Sequence, residues 1–155
     1  MLRTTRNVCL SVLAGVLVLS AADPSLGTWK LNTAKSKFSP GPAPRSSTVV
    51  VSQDGDWIVS KTDGVNAEGK PTTSINRIKR DGKEYPWQGL STGPAKITAK
   101  KIDDYHFESV LRGEAGGAVN VRTVISKDGK TRTQTATGID AKGHKVNSVM
   151  VYDRQ

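Results

Sequence analysis

One pattern occurs twice in this chain. Residues 48–55 (TVVVSQDG) run on to residues 64–70 (GVNAEGK), and 74 positions later residues 124–129 (VISKDG) run on to residues 138–144 (GIDAKGH). Each copy predicts strand, Asp-Gly turn, strand, Asx-Ala-x-Gly turn and strand. Asp-Gly is typical of a tight hairpin, and Asx followed three positions later by Gly is type I turn chemistry. Two such meanders predict one closed antiparallel sheet.

Turn signals divide the rest of the chain in the same way. The predicted strands are Gly27–Leu31 and residues 48–53, 57–62, 71–79, 83–87, 95–102, 105–112, 118–126, 132–137 and 146–153. Short strands at this spacing predict an all-β fold, a single antiparallel up-and-down β-barrel of about 8–10 strands. Both faces of these strands carry apolar and polar residues, so the alternation does not say which face lines the interior.

The first residues are typical of an export signal. Arg3 and Arg6 form a basic start, residues 8–19 are an apolar run, and the small residues 20–22 (SAA) precede Asp23. This predicts a secretory signal peptide over residues 1–22, cleaved before Asp23, and one barrel domain over residues 23–155 in the periplasm or outside the cell. The alternative is an uncleaved membrane anchor, for which the apolar run is short.

Cysteine and apolar content limit what holds the domain together. The single cysteine, Cys9, lies inside the predicted signal peptide, so the mature domain has no disulfide, no thiol nucleophile and no cysteine-bound metal. Apolar residues make up 35% of the whole chain and are concentrated in the signal peptide. The mature domain is therefore poorer in them, which favours a barrel with a thin core and a partly wet interior.

The chain is basic. Removal of Arg3 and Arg6 with the signal peptide lowers the formal net charge from +9 to +7. Outside the cytoplasm, such a charge favours anionic ligands, lipid head groups or cell-wall polymers as partners and argues against nucleic acid. The plainer interpretation is that lysines keep the exterior of a barrel soluble.

Two short motifs lie at the ends of the predicted barrel. Residues 27–29 (GTW) open the first strand, and residues 152–154 (YDR) end the last. The pair resembles the calycin signature, in which a Gly-x-Trp on the first strand packs beneath an arginine or lysine from the final strand. Because a guanidinium stacks well on an indole face, the resemblance assigns Gly27, Trp29 and Arg154 to structure.

A longer resemblance covers nearly the whole of the predicted mature domain. The chain is similar to a family of small exported bacterial proteins with a lipocalin-like barrel in residues 27–32 (GTWKLN), 35–42 (KSKFSPGP), 81–86 (DGKEYP), 126–130 (SKDGK) and 151–155 (VYDRQ). The resemblance implies that fold and an exported location, but no catalytic residue, because the family has no established activity. Related ten-stranded calycins include the haem-binding nitrobindins. Their glycine-rich start and a histidine ligand context are missing here, so no haem or other cofactor is expected.

Candidate ligand contacts are mainly aromatic. The sequence contains no nucleophile elbow, zinc motif, phosphate loop or dinucleotide fingerprint, so no catalytic residue and no metal ligand is predicted. Aromatic walls with a few polar groups suit a small amphipathic ligand. The residues assigned to ligand binding are Trp57, Tyr85, Trp87, Tyr105, His106, Phe107 and Arg112. Ordinary core packing is the alternative for each aromatic.

Three functions are compatible with these features. The first is an exported binding protein that holds a small hydrophobic or anionic molecule in the barrel. The second is a non-catalytic envelope protein whose basic exterior makes peripheral contact with anionic lipid or polymer. The third is an enzyme, an isomerase or hydrolase, that uses His106, Tyr105 and Arg112 inside the barrel. The identity of the ligand and the choice between monomer and dimer stay open.

Overall fold

A computed structural model describes residues 23–88 and 95–155. The predicted signal peptide, with Cys9, lies outside the described residues. In the described part of the chain, no helix has the length and apolar character needed to cross a membrane. A short 3₁₀ helix, Thr33–Lys35, accompanies ten strands: β1 Gly27–Leu31, β2 Ser46–Asp54, β3 Trp57–Val65, β4 Pro71–Ile78, β5 Asp81–Trp87, β6 Ala95–Lys101, β7 His106–Gly113, β8 Gly116–Ile125, β9 Thr131–Ile139 and β10 Lys145–Arg154.

The ten strands form one antiparallel sheet with the order β4-β3-β2-β1-β10-β9-β8-β7-β6-β5. Strands β1 and β10 pair with each other, which brings the two ends of the described chain together. The sheet curls into a nearly closed barrel whose edges are β4 and β5. The predicted all-β, up-and-down antiparallel barrel is therefore confirmed, and the number of strands is ten.

The repeated pattern occupies two matching parts of the sheet. The first copy covers β2, β3 and β4, and the second covers the end of β8 with β9 and β10, so the copies flank β1 in the strand order. The Asx-Ala-x-Gly turns form as predicted. The backbone N–H of Gly69 donates to the Asn66 carbonyl at 3.1 Å, and that of Gly143 donates to the Asp140 carbonyl at 3.0 Å. Local turn chemistry thus sets both hairpins.

The calycin-like motif joins the ends of the barrel wall. Trp29 is fully buried, and the guanidinium carbon of Arg154 lies 4.2 Å from the centroid of its ring. The Arg154 guanidinium also donates to the carbonyl oxygens of Leu26 and Gly129. A Cβ at Gly27 would lie 2.5 Å from Arg154 Nη1, so glycine leaves room for this close approach. A further hydrogen bond from Arg154 to the Pro24 carbonyl means that this side chain holds the segment before β1 at two residues, Pro24 and Leu26.

The apolar core surrounds Trp29. Its members come from β1, β2, β3, β7, β8 and β10, and the cluster consists of Trp29, Leu31, Val49, Val51, Ile58, Phe107, Ile125 and Tyr152. Several of these side chains also face an internal cavity. The core is therefore thin, and part of the barrel interior is open space.

Candidate functional site

The barrel encloses a cavity of about 330 Å³. This volume is at the lower end of the ~300–1,000 Å³ range that is typical of small-molecule sites. Strands β2 to β10 all contribute inward side chains. The apolar part of the lining consists of Val49, Val51, Ile58, Ile78, Trp87, Ile97, Ala99, Phe107, Leu111, Val121, Met150 and Tyr152.

Arg132 brings a positive charge into this mainly apolar cavity. It lies on β9, where its Cα pairs with those of Ile125 on β8 and Tyr152 on β10, both of which are buried. Its Nε and Nη1 atoms are buried, and no described residue accepts a hydrogen bond from them. Its guanidinium carbon lies 5.7 Å from the centroid of the Tyr152 ring.

The surroundings of Arg132 oppose its charge. Burial lowers the pKa of the guanidinium, and the nearby charge of Arg80 lowers it further, against an opposing contribution from Tyr152. A buried donor without an acceptor costs about 1–3 kcal/mol. An anionic or hydrogen-bond-accepting group inside the cavity would remove that cost.

Arg80 is a second cation at the cavity, and its charge is compensated. Its guanidinium forms an ion pair with Asp23 and donates a 2.6 Å hydrogen bond to Ser25 Oγ. Its central carbon lies 4.1 Å from the centroid of the Phe107 ring. Burial raises the pKa of Asp23, but hydrogen bonds from Ser25 and the charge of Arg80 outweigh it, and the pKa lies below its ordinary value. Arg80 therefore needs no ligand anion, in contrast to Arg132.

Polar side chains complete the cavity lining: Ser25 and Gln88 lie outside the strands, the exposed Lys100 of β6 is a third cation, and six strand residues carry no formal charge. Strands β3 and β4 supply three hydroxyl groups, and strands β7, β8 and β9 supply two hydroxyl groups and an amide. The six residues are Ser60, Thr62, Ser74, Ser109, Thr123 and Gln134.

The edges β4 and β5 approach each other without a backbone ladder. Asn76 of β4 is 4% exposed, and its Oδ1 accepts a 2.8 Å hydrogen bond from the backbone N–H of Gln88. Its Nδ2 donates to the Gln88 carbonyl at 3.3 Å. The side-chain amide of Asn76 thus links β4 to the residue that follows β5, although the two strands form no backbone ladder with each other.

The predicted aromatic contacts separate into two groups. Trp87 and Phe107 line the cavity. Trp57 alternates along β3 with the inward Ile58, and its ring meets that of Tyr85 edge to face outside the cavity, with centroids 5.4 Å apart. Tyr105 packs against the core and borders an open depression beside residues 23–26.

The predicted polar contacts lie on the outer face of β7. His106 alternates with the inward Phe107, and its Nδ1 lies 2.8 Å from Oδ1 of Asp103. Arg112 is exposed on the same outer face. His106, Tyr105 and Arg112 therefore do not meet in the cavity. Within residues 23–88 and 95–155, no group of three or more His, Cys, Asp or Glu side chains lies close enough together to hold a metal ion.

Sequence reasoning misses Arg132. A usable signal is present in residues 131–137 (TRTQTAT), where threonine alternates with arginine, glutamine and alanine. One face of this strand is uniformly threonine, and the other pairs Arg132 with the buried Ala136. The alternation places Arg132 on a face that carries both polar and apolar residues. Arg132 can be assigned to the site only once the structure shows that this face points inward.

No family model matches the sequence, and no curated protein sequence matches it. Solved structures do match its fold. A Schistosoma mansoni fatty acid binding protein in complex with arachidonic acid matches with a TM-score of 0.60 and 17% identity, over 85% of this chain and 96% of that one. Zebrafish ileal bile acid-binding protein complexed with cholic acid matches with a TM-score of 0.56 and 14% identity, over 85% of this chain and 99% of that one. At these identities the likeness establishes the fold, a calycin-like barrel.

Proposed function

We propose that this barrel binds a small hydrophobic ligand with an anionic group, the apolar body in the cavity and the anion at Arg132. The observation that carries the proposal is the Arg132 guanidinium, whose Nε and Nη1 are buried without an acceptor among the described residues. A charge buried without a partner is costly, and a ligand anion removes the cost.

The chemistry of the two groups is complementary. A guanidinium offers parallel N–H donors that match the two oxygens of a carboxylate, and such charge-assisted bonds are stronger than neutral ones. Hydrogen bonds to charged groups contribute about 1.5–3 kcal/mol, which corresponds to roughly 10–150-fold in affinity. Because Arg80 is matched by Asp23 and Lys100 is exposed to solvent, one negative charge on the ligand is enough.

The fold neighbours support a ligand of this kind. One was solved with arachidonic acid and the other with cholic acid. A barrel of this architecture therefore accommodates a hydrophobic body with an acid group.

The second part of the proposal is that the protein acts outside the cytoplasm. This part rests on the signal-like pattern of residues 1–22 and on the resemblance to exported bacterial proteins. N-terminal sequencing of the protein from an exporting host is expected to begin at Asp23. A sequence that begins at Met1 would contradict cleavage.

Displacement of a fluorescent fatty acid probe tests the binding proposal. Palmitic acid and its neutral alcohol, hexadecanol, share one chain and differ in the head group. We expect the wild-type protein to prefer the acid at least tenfold, and the Arg132→Met variant to lose that preference. Arg112→Met, an exposed substitution on the outer face, is the matched control and keeps it.

Each outcome identifies which part of the proposal fails. If acid and alcohol displace the probe equally from the wild-type protein, no anion is recognised. If Arg132→Met keeps the preference, the anion binds elsewhere. If neither the probe nor the acid binds at all, the cavity is not a site for ligands of this class.

A further inference from the structure

The cavity wall carries more hydrogen-bonding groups than a plain hydrocarbon chain requires. Ser60 and Thr62 of β3 and Ser74 of β4 line the cavity, and the Cα atoms of Thr62 and Ser74 are partners in the β3–β4 ladder. Their hydroxyl groups therefore form one polar patch near the β4 edge of the barrel.

A second polar patch lies on the opposite wall. Strand β8 is five positions from β3 in the ten-stranded order, so the two strands face each other across the interior. Thr123 of β8 and Gln134 of β9 are ladder partners, and Gln134 Nε2 donates to Thr123 Oγ1 at 3.2 Å. Ser109 of β7 extends this patch.

These groups retain hydrogen-bonding capacity. Ser60, Thr62, Ser74 and Ser109 line the cavity and are only half-buried, so their hydroxyl groups are open to water inside the cavity. A hydrocarbon that covers such hydroxyl groups strips them of water without replacing its hydrogen bonds, which is unfavourable. A ligand with its own hydroxyl groups replaces those bonds directly.

The strand register sets the spacing of the polar groups from Arg132. Gln134 lies two residues from Arg132 along β9, a Cα separation of roughly 7 Å at the rise of a strand, and its ladder partner Thr123 lies beside it on β8. Ser109 is level with Ala136, which lies four residues from Arg132 along β9, because Ala136 pairs with Val121 of β8 and Val121 pairs with Ser109 of β7. The second patch therefore presents hydrogen-bonding groups at two levels of the barrel, two and four residues from Arg132 along the strand direction.

We infer that the ligand is a hydroxylated amphipathic acid, with its anionic group at Arg132 and hydroxyl groups that reach the second patch at the level of Gln134 or of Ser109. The inference rests on the proposed function, because Arg132 defines the position of the anion. It adds the chemical character of the ligand body, which the charge alone leaves unspecified.

Two pairs of acids test the inference by displacement of the same probe. Stearic acid is compared with a dihydroxystearic acid, and cholanic acid, which has no hydroxyl group, with cholic acid. The measured quantity is the affinity ratio of the hydroxylated to the plain acid within each pair. It is determined for the wild-type protein, for Thr62→Val with Ser74→Ala, and separately for Thr123→Val.

We expect each cavity variant to lower the ratio about two- to tenfold for at least one pair, the value of one lost hydrogen bond. The hydroxylated acid is less hydrophobic in every experiment, so this difference cancels when the ratio for a variant is compared with the ratio for the wild-type protein. Thr137→Val, which removes an exposed hydroxyl on the outer face of β9, is the matched control and leaves the ratio unchanged. Thermal unfolding shows whether each variant is folded, and the two cavity variants are independent of each other.

The outcomes separate this inference from the proposed function. If all acids depend on Arg132 but the ratios are the same in the wild-type protein and both cavity variants, hydroxyl recognition is wrong and the proposed function stands. If the ratios fall while Arg132→Met keeps its preference for acid over alcohol, the anion site is wrong, and the stated position of the hydroxyl groups relative to the anion is wrong with it. If no acid displaces the probe, both are overturned.

Discussion

Replacement of Arg132 by methionine should stabilise the ligand-free protein. Most substitutions of buried residues destabilise a fold, because they leave a cavity. Arg132 is different, since its guanidinium is buried without an acceptor among the described residues for two of its nitrogens. Methionine is unbranched, flexible and apolar, so it fills a similar space without a donor that needs a partner.

The expected gain follows from two opposing contributions. Each buried donor without a partner costs about 1–3 kcal/mol, and the variant removes two of them. The variant also loses the contact between the guanidinium and the Tyr152 ring at 5.7 Å, which is worth about 0.5–2 kcal/mol. We expect a net gain of about 2 kcal/mol in the free energy of unfolding, or a rise in Tm of about 6–10 °C for a domain of this size.

Urea unfolding of delipidated protein at neutral pH, followed by circular dichroism, measures this change. Arg112→Met is the control, because an exposed substitution of the same chemistry should stay within about 0.5 kcal/mol of the wild-type protein. Excess palmitic acid should then raise the Tm of the wild-type protein more than that of Arg132→Met, since binding to the native state stabilises it. If Arg132→Met instead lowers the free energy of unfolding by more than about 1 kcal/mol, the guanidinium has a stabilising protein partner and the anion site is refuted.

Three further predictions concern the cavity wall, its end and its open edge. Trp87→Ala should weaken probe binding about tenfold, while Trp57→Ala, outside the cavity, should leave it within about twofold; equal losses in a fluorescence titration would contradict this placement. Asp23→Asn should lower the free energy of unfolding by about 1–3 kcal/mol at neutral pH, because it breaks the pair with Arg80. Since folding lowers the pKa of Asp23, its stabilising contribution is present above its unfolded value of about 3.9 and is lost as the pH falls through the lower folded value. The free energies of unfolding of the wild-type protein and Asp23→Asn, measured in urea from neutral to acidic pH, should therefore converge. A difference between them that does not change with pH would exclude the ion pair. Asn76→Ala should speed amide hydrogen exchange at the β4 and β5 edges, because it removes the amide that links them, and unchanged exchange would mean that this link is dispensable.

The sequence predicted the architecture because its signals are local. Asp-Gly and Asx-Ala-x-Gly turns act within four residues, so they define hairpins wherever they occur. The prediction of residues 57–62 as a strand corresponds to β3 at Trp57–Val65, and residues 146–153 correspond to β10 at Lys145–Arg154. Ends differ by up to three residues in these examples, since pairing with neighbouring strands extends a strand beyond its local signal.

Closure of the barrel also followed from the chain ends. The calycin-like motif assigned Trp29 and Arg154 to structure, and the structure brings the guanidinium over the indole ring. The cavity was predicted only as a wet interior with aromatic walls. Of the aromatics assigned to it, Trp87 and Phe107 line it, whereas Trp57 lies outside because it is one residue out of phase with Ile58.

The tertiary structure alone decided which face of each strand points inward. An alternating strand has two faces, and a shift of one residue exchanges them, so mixed faces leave the choice to the closure of the sheet. The consecutive strands β7, β8 and β9 each contain one arginine, namely Arg112, Arg122 and Arg132. The sequence does not distinguish which of the three side chains points inward. Closure exposes Arg112 and Arg122 to solvent and buries Nε and Nη1 of Arg132 beside the cavity. Local turn chemistry therefore determined the barrel, and the long-range pairing of strands determined where its buried charge lies.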